Sequence, residues 1–269
     1  MIMQTPNAFD TPAALRQKIR GGRHTGTTAG CCPGFVQANL VILPIEHALE
    51  FMTFCIRNPK PCPLLDITDP GSPHPPTWLA NDGADVRTDL PMYRVWQNGK
   101  LLKEADDVTD YWRDDFVVFF LGCSFSFEEA LVKANLSVRH LEEGKNVPMY
   151  KTNIPCRPAG PFQGNMVVSM RPYRPEQLGR VSEVTSRMKA VHGGPIHTGD
   201  PAAIGIIDLG QPDYGDAVSI ASDEVPVFFA CGVTPQNVIL DCRLPGIAIT
   251  HAPGAMFVTD VLNDFLTQN

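Results

Sequence analysis

Two short runs of this chain are apolar almost throughout and end in the same way. Residues 114–123 read DDFVVFFLGC and residues 223–232 read DEVPVFFACG. A strand with one wet face alternates polar and apolar residues. These runs do not, so each is expected to be buried on both faces. Each leads into a helix start, Ser124-Phe125-Ser126-Phe127-Glu128 after the first and Thr234-Pro235-Gln236 after the second. A strand, tight turn and helix N-terminus, met twice, predict an α/β fold with a mixed sheet flanked by helices. An internal duplication and a chance similarity between two buried strands both account for the echo. Either way, the corners beyond the strand ends are where ligands bind in α/β sheets.

The rest of the chain supplies partners for these units. Thr11 and Pro12 read as N-cap and first residue of a helix that stops at Gly21-Gly22. The polar stretch GGRHTGTTAGCCPG follows, then the apolar element Phe35–Leu43. IEHALEFMTFCIRN reads as an amphipathic helix with Ala48, Leu49, Met52, Cys55 and Ile56 inward and His47 in solvent. Asn58-Pro59 ends it. PCPLLDI, VPMYKTN, NMVVSM, AIGIIDL and GIAIT read as strands, with helices over Pro175–Lys189 and Ala255–Leu266. The β-β-α pattern of residues 136–195 predicts a small inserted α+β subdomain. The main α/β domain would then be residues 1–135 plus 196–269.

Composition narrows the function. With 269 residues, 43% hydrophobic and 19% charged, the chain can bury a core without metals or disulfides. A net charge of −7 without a Lys/Arg run argues against nucleic acid as a partner. No run of about 18 apolar residues exists to span a bilayer, so no membrane association is expected. The eight cysteines follow no secretory signal. They are read as reduced thiols in a cytoplasmic protein, and the sequon at Asn135 as unmodified. A homo-oligomer is compatible with these features.

Four loops could carry chemistry. In Gly122-Cys123-Ser124-Phe125-Ser126-Phe127-Glu128, a helix N-terminus could stabilise an oxyanion or a Cys123 thiolate. The plainer reading is that Ser124 or Ser126 caps the helix, Glu128 completes a capping box and Cys123 is core. His192, His197 and Asp200 share a loop dense in Gly and Pro. Acid/base or hydrogen-bonding roles suit them better than metal binding, because the His spacing fits no standard zinc pattern. Cys231 and His251 each follow an apolar strand. Arg171 and Arg87 could clamp a carboxylate, and surface salt bridging is the alternative. Asp89, Tyr150, Asn153 and Thr28 complete the candidate substrate-binding set. No P-loop, GxGxxG or GxSxG is present, and no cofactor or metal is expected.

RHTGTTAG, PGFVQANLVILP, FCIRNPKPCPLL, DVRTDLPMYRV, GCSFSFEEAL, NVPMYKTNI, VVSMRP, HGGPIHTGDP, ACGVTPQ and THAPGAMFVTD occur in that order. Together they resemble the D-glutamate cyclase family, also described as hydro-lyases, from about residue 16 to residue 260. The resemblance implies a carbon–oxygen lyase that dehydrates D-glutamate to 5-oxo-D-proline, and a small-molecule carboxylate as the partner. It supplies no residue roles. A base (His192, His197 or His251), an acid (Glu128) and direct attack or a Cys123 thioester are inferred from chemistry. A dehydratase of another small hydroxy- or amino-acid and a carboxylate-binding module are the alternatives.

Overall fold

The computed structural model describes residues 11–81 and 83–267. Helix α1 (Pro12–Arg20) starts as its sequence dictates, with Thr11 Oγ1 accepting from Ala14 N. Strand β1 (Phe35–Pro44) and helix α2 (Ile45–Arg57) follow, then β2 (Leu64–Ile67), β3 (Tyr93–Gln97), β4 (Lys100–Ala105) and β5 (Phe116–Gly122). Helix α3 (Phe125–Lys133), the short α4 (Arg139–Glu142), β6 (Met149–Pro155), β7 (Asn165–Tyr173) and α5 (Leu178–Ser186) come next. The chain closes with β8 (His197–Thr198), β9 (Val225–Ala230), α6 (Val233–Cys242), β10 (Ile247–His251) and β11 (Phe257–Leu262).

Two sheets form, flanked by helices. One has the order β2-β5-β1-β10-β3-β4, with β11 also pairing β1; the other is β6-β7-β9-β8. Every pairing is antiparallel, so the sheets are not the mix of parallel and antiparallel strands that the sequence suggested. Strand pairing does not close at residue 195 either. β6 and β7 lie within 136–195, but their sheet is completed by β9 and β8.

The sequence echo is a structural repeat. Cys123 N donates to Gln37 O at 3.0 Å, and Cys231 N donates to Val167 O at 3.1 Å. Gln37 N donates to Ser126 Oγ at 2.9 Å, and Val167 N donates to Thr234 Oγ1 at 3.0 Å. Ser126 N reaches Cys123 O and Thr234 N reaches Cys231 O. The structure therefore matches Cys123 with Cys231, whereas the sequence echo aligned the paired phenylalanines and put Cys123 against Gly232. The halves also exchange strands. β6 follows α3 of the first half and pairs β7 of the second, while β10 follows α6 of the second and pairs β1 of the first.

Alternate residues of each central strand enter different cores. Leu40, Ile42, Val118 and Phe120 belong to one, and Val41, Leu43, Val117, Phe119 and Leu121 to the other. This is why the runs are apolar without alternation. Three readings of elements are corrected. Helix α2 buries Phe51, Phe54 and Cys55 and exposes Leu49 and Ile56, and His47 lies half-buried beside Glu46. AIGIIDL forms a 3-10 turn (Pro201–Ile204) and loop, with Ile207 in solvent. Ala255–Leu266 is β11 plus a 3-10 turn, because its β-branched residues pair with β1.

Candidate functional site

The two corners meet. Asn39, on β1, donates through Nδ2 to Leu121 O and Gly122 O. A Cβ on Gly232 would fall 2.1 Å from the same Nδ2, and one on Gly122 would fall 1.9 Å from Ala190 O. Only glycine permits this approach. Asn39 thus joins the corner after β5 to the corner after β9, a role that the sequence reading missed.

Beneath the corners lies a buried ionic network. Arg171, on β7, bonds Glu128 Oε1, and its Nη groups donate to Ser169 Oγ (3.1 Å) and Ser124 Oγ (3.3 Å). His140 Nε2 lies 3.1 Å from the same Glu128 oxygen. The rings of Phe127 and Phe229 stack against the guanidinium at 5.0 and 5.5 Å. Burial would raise the Glu128 carboxyl, but the charges of His140 and Arg171 outweigh it and hold the group low. Neither serine caps α3: Ser124 makes no side-chain cap bond, and Ser126 instead fastens the helix to β1. Glu128 forms an ion pair rather than a capping box.

Cys123 and Cys231 sit in an apolar cluster with Phe125, Val147, Met149, Val167, Val233 and Met256. Burial pushes Cys123 well up and Cys231 up to about 11, despite backbone bonds from Phe125 and Val233. The expectation of a stabilised thiolate at the helix start is therefore corrected, since desolvation overrides the helix dipole. Cys123→Ser is expected to keep more than about half of the wild-type turnover, as a buried neutral thiol supplies little rate. Steady-state kcat checks this.

An open cavity of about 530 Å³ lies nearby. Its wall takes Thr25–Thr27 from RHTGTTAG, Met92 and Arg94 from DVRTDLPMYRV, Asn146 from NVPMYKTNI and Ala252–Ala255 from THAPGAMFVTD. Asp213, Tyr214, Gly215 and Glu104 complete it. Arg94 binds Glu104 Oε1 through Nε at 2.9 Å, so its terminal nitrogens remain for a ligand. Asn146 Oδ1 accepts from Val147 N, which turns Nδ2 into the available donor. Thr27 and Thr28 hydroxyls both donate to Gly254 O and tie the two loops together.

Residues 117–260 match the model of a family described as D-glutamate cyclase. A hydro-lyase relative from Rubrobacter xylanophilus is 59% identical over 92% of this chain and 95% of its own. Relatives from Bacillus licheniformis (58% identical, 94% and 95% covered) and Bacillus subtilis (57%, 95% and 98%) share the name "Putative hydro-lyase". The chain belongs to the D-glutamate cyclase family. It is a hydro-lyase by that kinship, and among the described residues no helix is long and apolar enough to cross a membrane.

Of the site residues predicted from the sequence of this cyclase-family chain, Cys123, Ser124, Ser126, Glu128, Arg171 and Cys231 gather at the corners. Thr28 lies in the wall between the corners and the open cavity. His192 borders the corners from the far side. Its Nδ1 donates to Lys60 O at 2.7 Å, and burial, with Arg171 nearby, lowers it to about 4. His251 is buried behind Ala252. Gln236 donates to its Nε2 at 2.8 Å and its Nδ1 faces Leu40 O, and burial lowers it to about 4 as well. Both rings are neutral at pH 7.

The remaining candidates lie outside the lining of the open cavity. His197 Nε2 binds Asp200 O, and Asp200 caps the Pro201–Ile204 turn. Arg87 clamps Asp85, two residues away, and stacks on Trp112. Asp89 is buried between Arg16 and Arg20. Tyr150 donates to Leu209 O, and Asn153 is exposed beside Gly205. Among the described residues no three His, Cys, Asp or Glu side chains come together as a metal site. The sequence reading missed Arg94, Asn146 and Asp213. Arg94 stood in a quoted motif, and its place next to buried Tyr93 on a strand was the available signal.

Proposed function

We propose that this hydro-lyase cyclises D-glutamate to 5-oxo-D-proline in the open cavity, in the cytoplasm. One observation carries the reading: segments from four of the motifs that define the resemblance wall a single cavity that offers both an arginine and carboxylates. Arg94 holds the α-carboxylate through its terminal nitrogens. Asp213 or Glu104 receives the ammonium protons. The folded substrate brings nitrogen to the γ-carbon, and proximity supplies much of the rate. Attack forms the C–N bond first, and collapse of the tetrahedral adduct then breaks a C–O bond. Both protons shed by the ammonium leave with that oxygen as water. Asn146 Nδ2 and the Thr25 hydroxyl are placed to stabilise the tetrahedral oxyanion. Direct attack is preferred to a thioester because Cys123 lies outside the cavity lining and its thiol is raised by burial.

Purified protein incubated with D- and L-glutamate, followed by chiral analysis of 5-oxoproline, tests the reading. Formation of 5-oxo-D-proline from the D-isomer is expected. Turnover of a different hydroxy- or amino-acid, or binding without turnover, would replace it.

A further inference from the structure

A second cavity, of about 180 Å³, lies on the other side of α3. Gly30–Gly34, Phe35, Phe125, Val132 and Leu141 give it a largely apolar wall. Four polar side chains enter that wall: Gln37, Glu128, Glu129 and Asn263, and Glu129 is already paired with Lys133 and Asn263. Gln37 is buried. Its Nε2 is committed to Thr28 O (2.9 Å) and Cys31 O (3.3 Å), which fixes the amide orientation and leaves Oε1 with no hydrogen bond. Asn263, also buried, gives Nδ2 to Glu129 at 3.3 Å and likewise leaves Oδ1 with none. Arg171 and His140 both meet Glu128 at Oε1, so Oε2 is its remaining acceptor.

A buried acceptor without a donor is costly, so two in the lining of one small cavity point to a ligand that donates. We propose that this cavity binds a short primary ammonium, R–NH3+. Such a group has three N–H donors and no acceptor, and the lining residues hold three uncommitted acceptors, Gln37 Oε1, Asn263 Oδ1 and Glu128 Oε2. The apolar wall takes the carbon body, and the volume limits that body to a few carbons. A fully methylated ammonium has the charge but no N–H, so it does not satisfy the site. The site is separate from the open cavity and does not depend on the proposed reaction.

The test titrates the intact protein with methylammonium, tetramethylammonium or sodium chloride at equal ionic strength, read by thermal unfolding and calorimetry. Methylammonium is expected to give a saturable rise in Tm, with no saturable rise from the other two. Asn263→Leu and Gln37→Met are each expected to weaken methylammonium binding by about tenfold or more. Asn263 sits in a peripheral 3-10 turn, so Asn263→Leu decides the matter if Gln37→Met fails to fold. Absence of a saturable effect, an equal effect from tetramethylammonium, or unchanged binding in Asn263→Leu would overturn the proposal.

Discussion

Arg171→Ala is expected to lower stability by about 3–5 kcal/mol, the cost of leaving a buried charge unpaired. The guanidinium holds Glu128 and two serine hydroxyls while two phenylalanine rings cover it. Removing it strands a carboxylate in apolar packing with only His140 beside it. Chemical denaturation with urea, comparing midpoints at matched slope, measures the loss. Because the pair is buried, replacing both partners costs less than replacing one. The double variant Glu128→Leu/Arg171→Met is therefore expected to recover much of the loss. A double variant as unstable as the single one would mean that the network does more than neutralise its own charges.

Acid is the second large lever. Burial lowers His192 and His251 to about 4, from the usual 6.5. Above pH 6.5 both rings are neutral in the folded and unfolded chain, and no penalty arises. As pH falls from 6.5 towards 4 the unfolded chain takes up two protons that the folded chain refuses, so stability falls with pH. Each ring accounts for about 3 kcal/mol across that window. The Glu128 carboxylate, also held low, adds a further loss only at still lower pH. Denaturation at pH 7.5, 5.5 and 4.5 is expected to show this decline. His192→Asn removes one of the two protons, and asparagine tolerates the positive φ of 84° found there. Its decline is expected to be about half as steep. An unchanged slope would mean that His192 titrates normally in the folded chain.

The features that the sequence made legible are those with local causes. The α1 start at Thr11-Pro12, the two buried strands and the helices that follow them depend on capping and hydrophobicity within a few residues. The return of β10 to the first half was not legible, because Thr250 pairs with Val41 about 200 residues away and no short window records it. Helix α2 shows the limit of periodicity. Two apolar stripes are present, and tertiary contacts chose Phe51 and Phe54, which pack with Phe119 and Phe162. At the site, the corner residues were found because glycine and small polar residues after a strand have few other uses. Arg87 was favoured over Arg94 although Asp85, two residues away, neutralises it, because an adjacent carboxylate in sequence does not by itself show that the side chains pair.

The central claim is that D-glutamate binds and reacts where Arg94 faces Asn146 and Asp213. Arg94→Gln isolates it. The pair with Glu104 is partly solvent-exposed, and such pairs contribute about 0–1 kcal/mol, so the variant should fold normally. The decisive measurement is kcat/KM for D-glutamate in Arg94→Gln against wild type. A fall of about 100-fold or more, from loss of a charged bond of roughly 3 kcal/mol, is expected with the unfolding midpoint unchanged. An unaltered kcat/KM would contradict the account and move the reaction elsewhere in the chain.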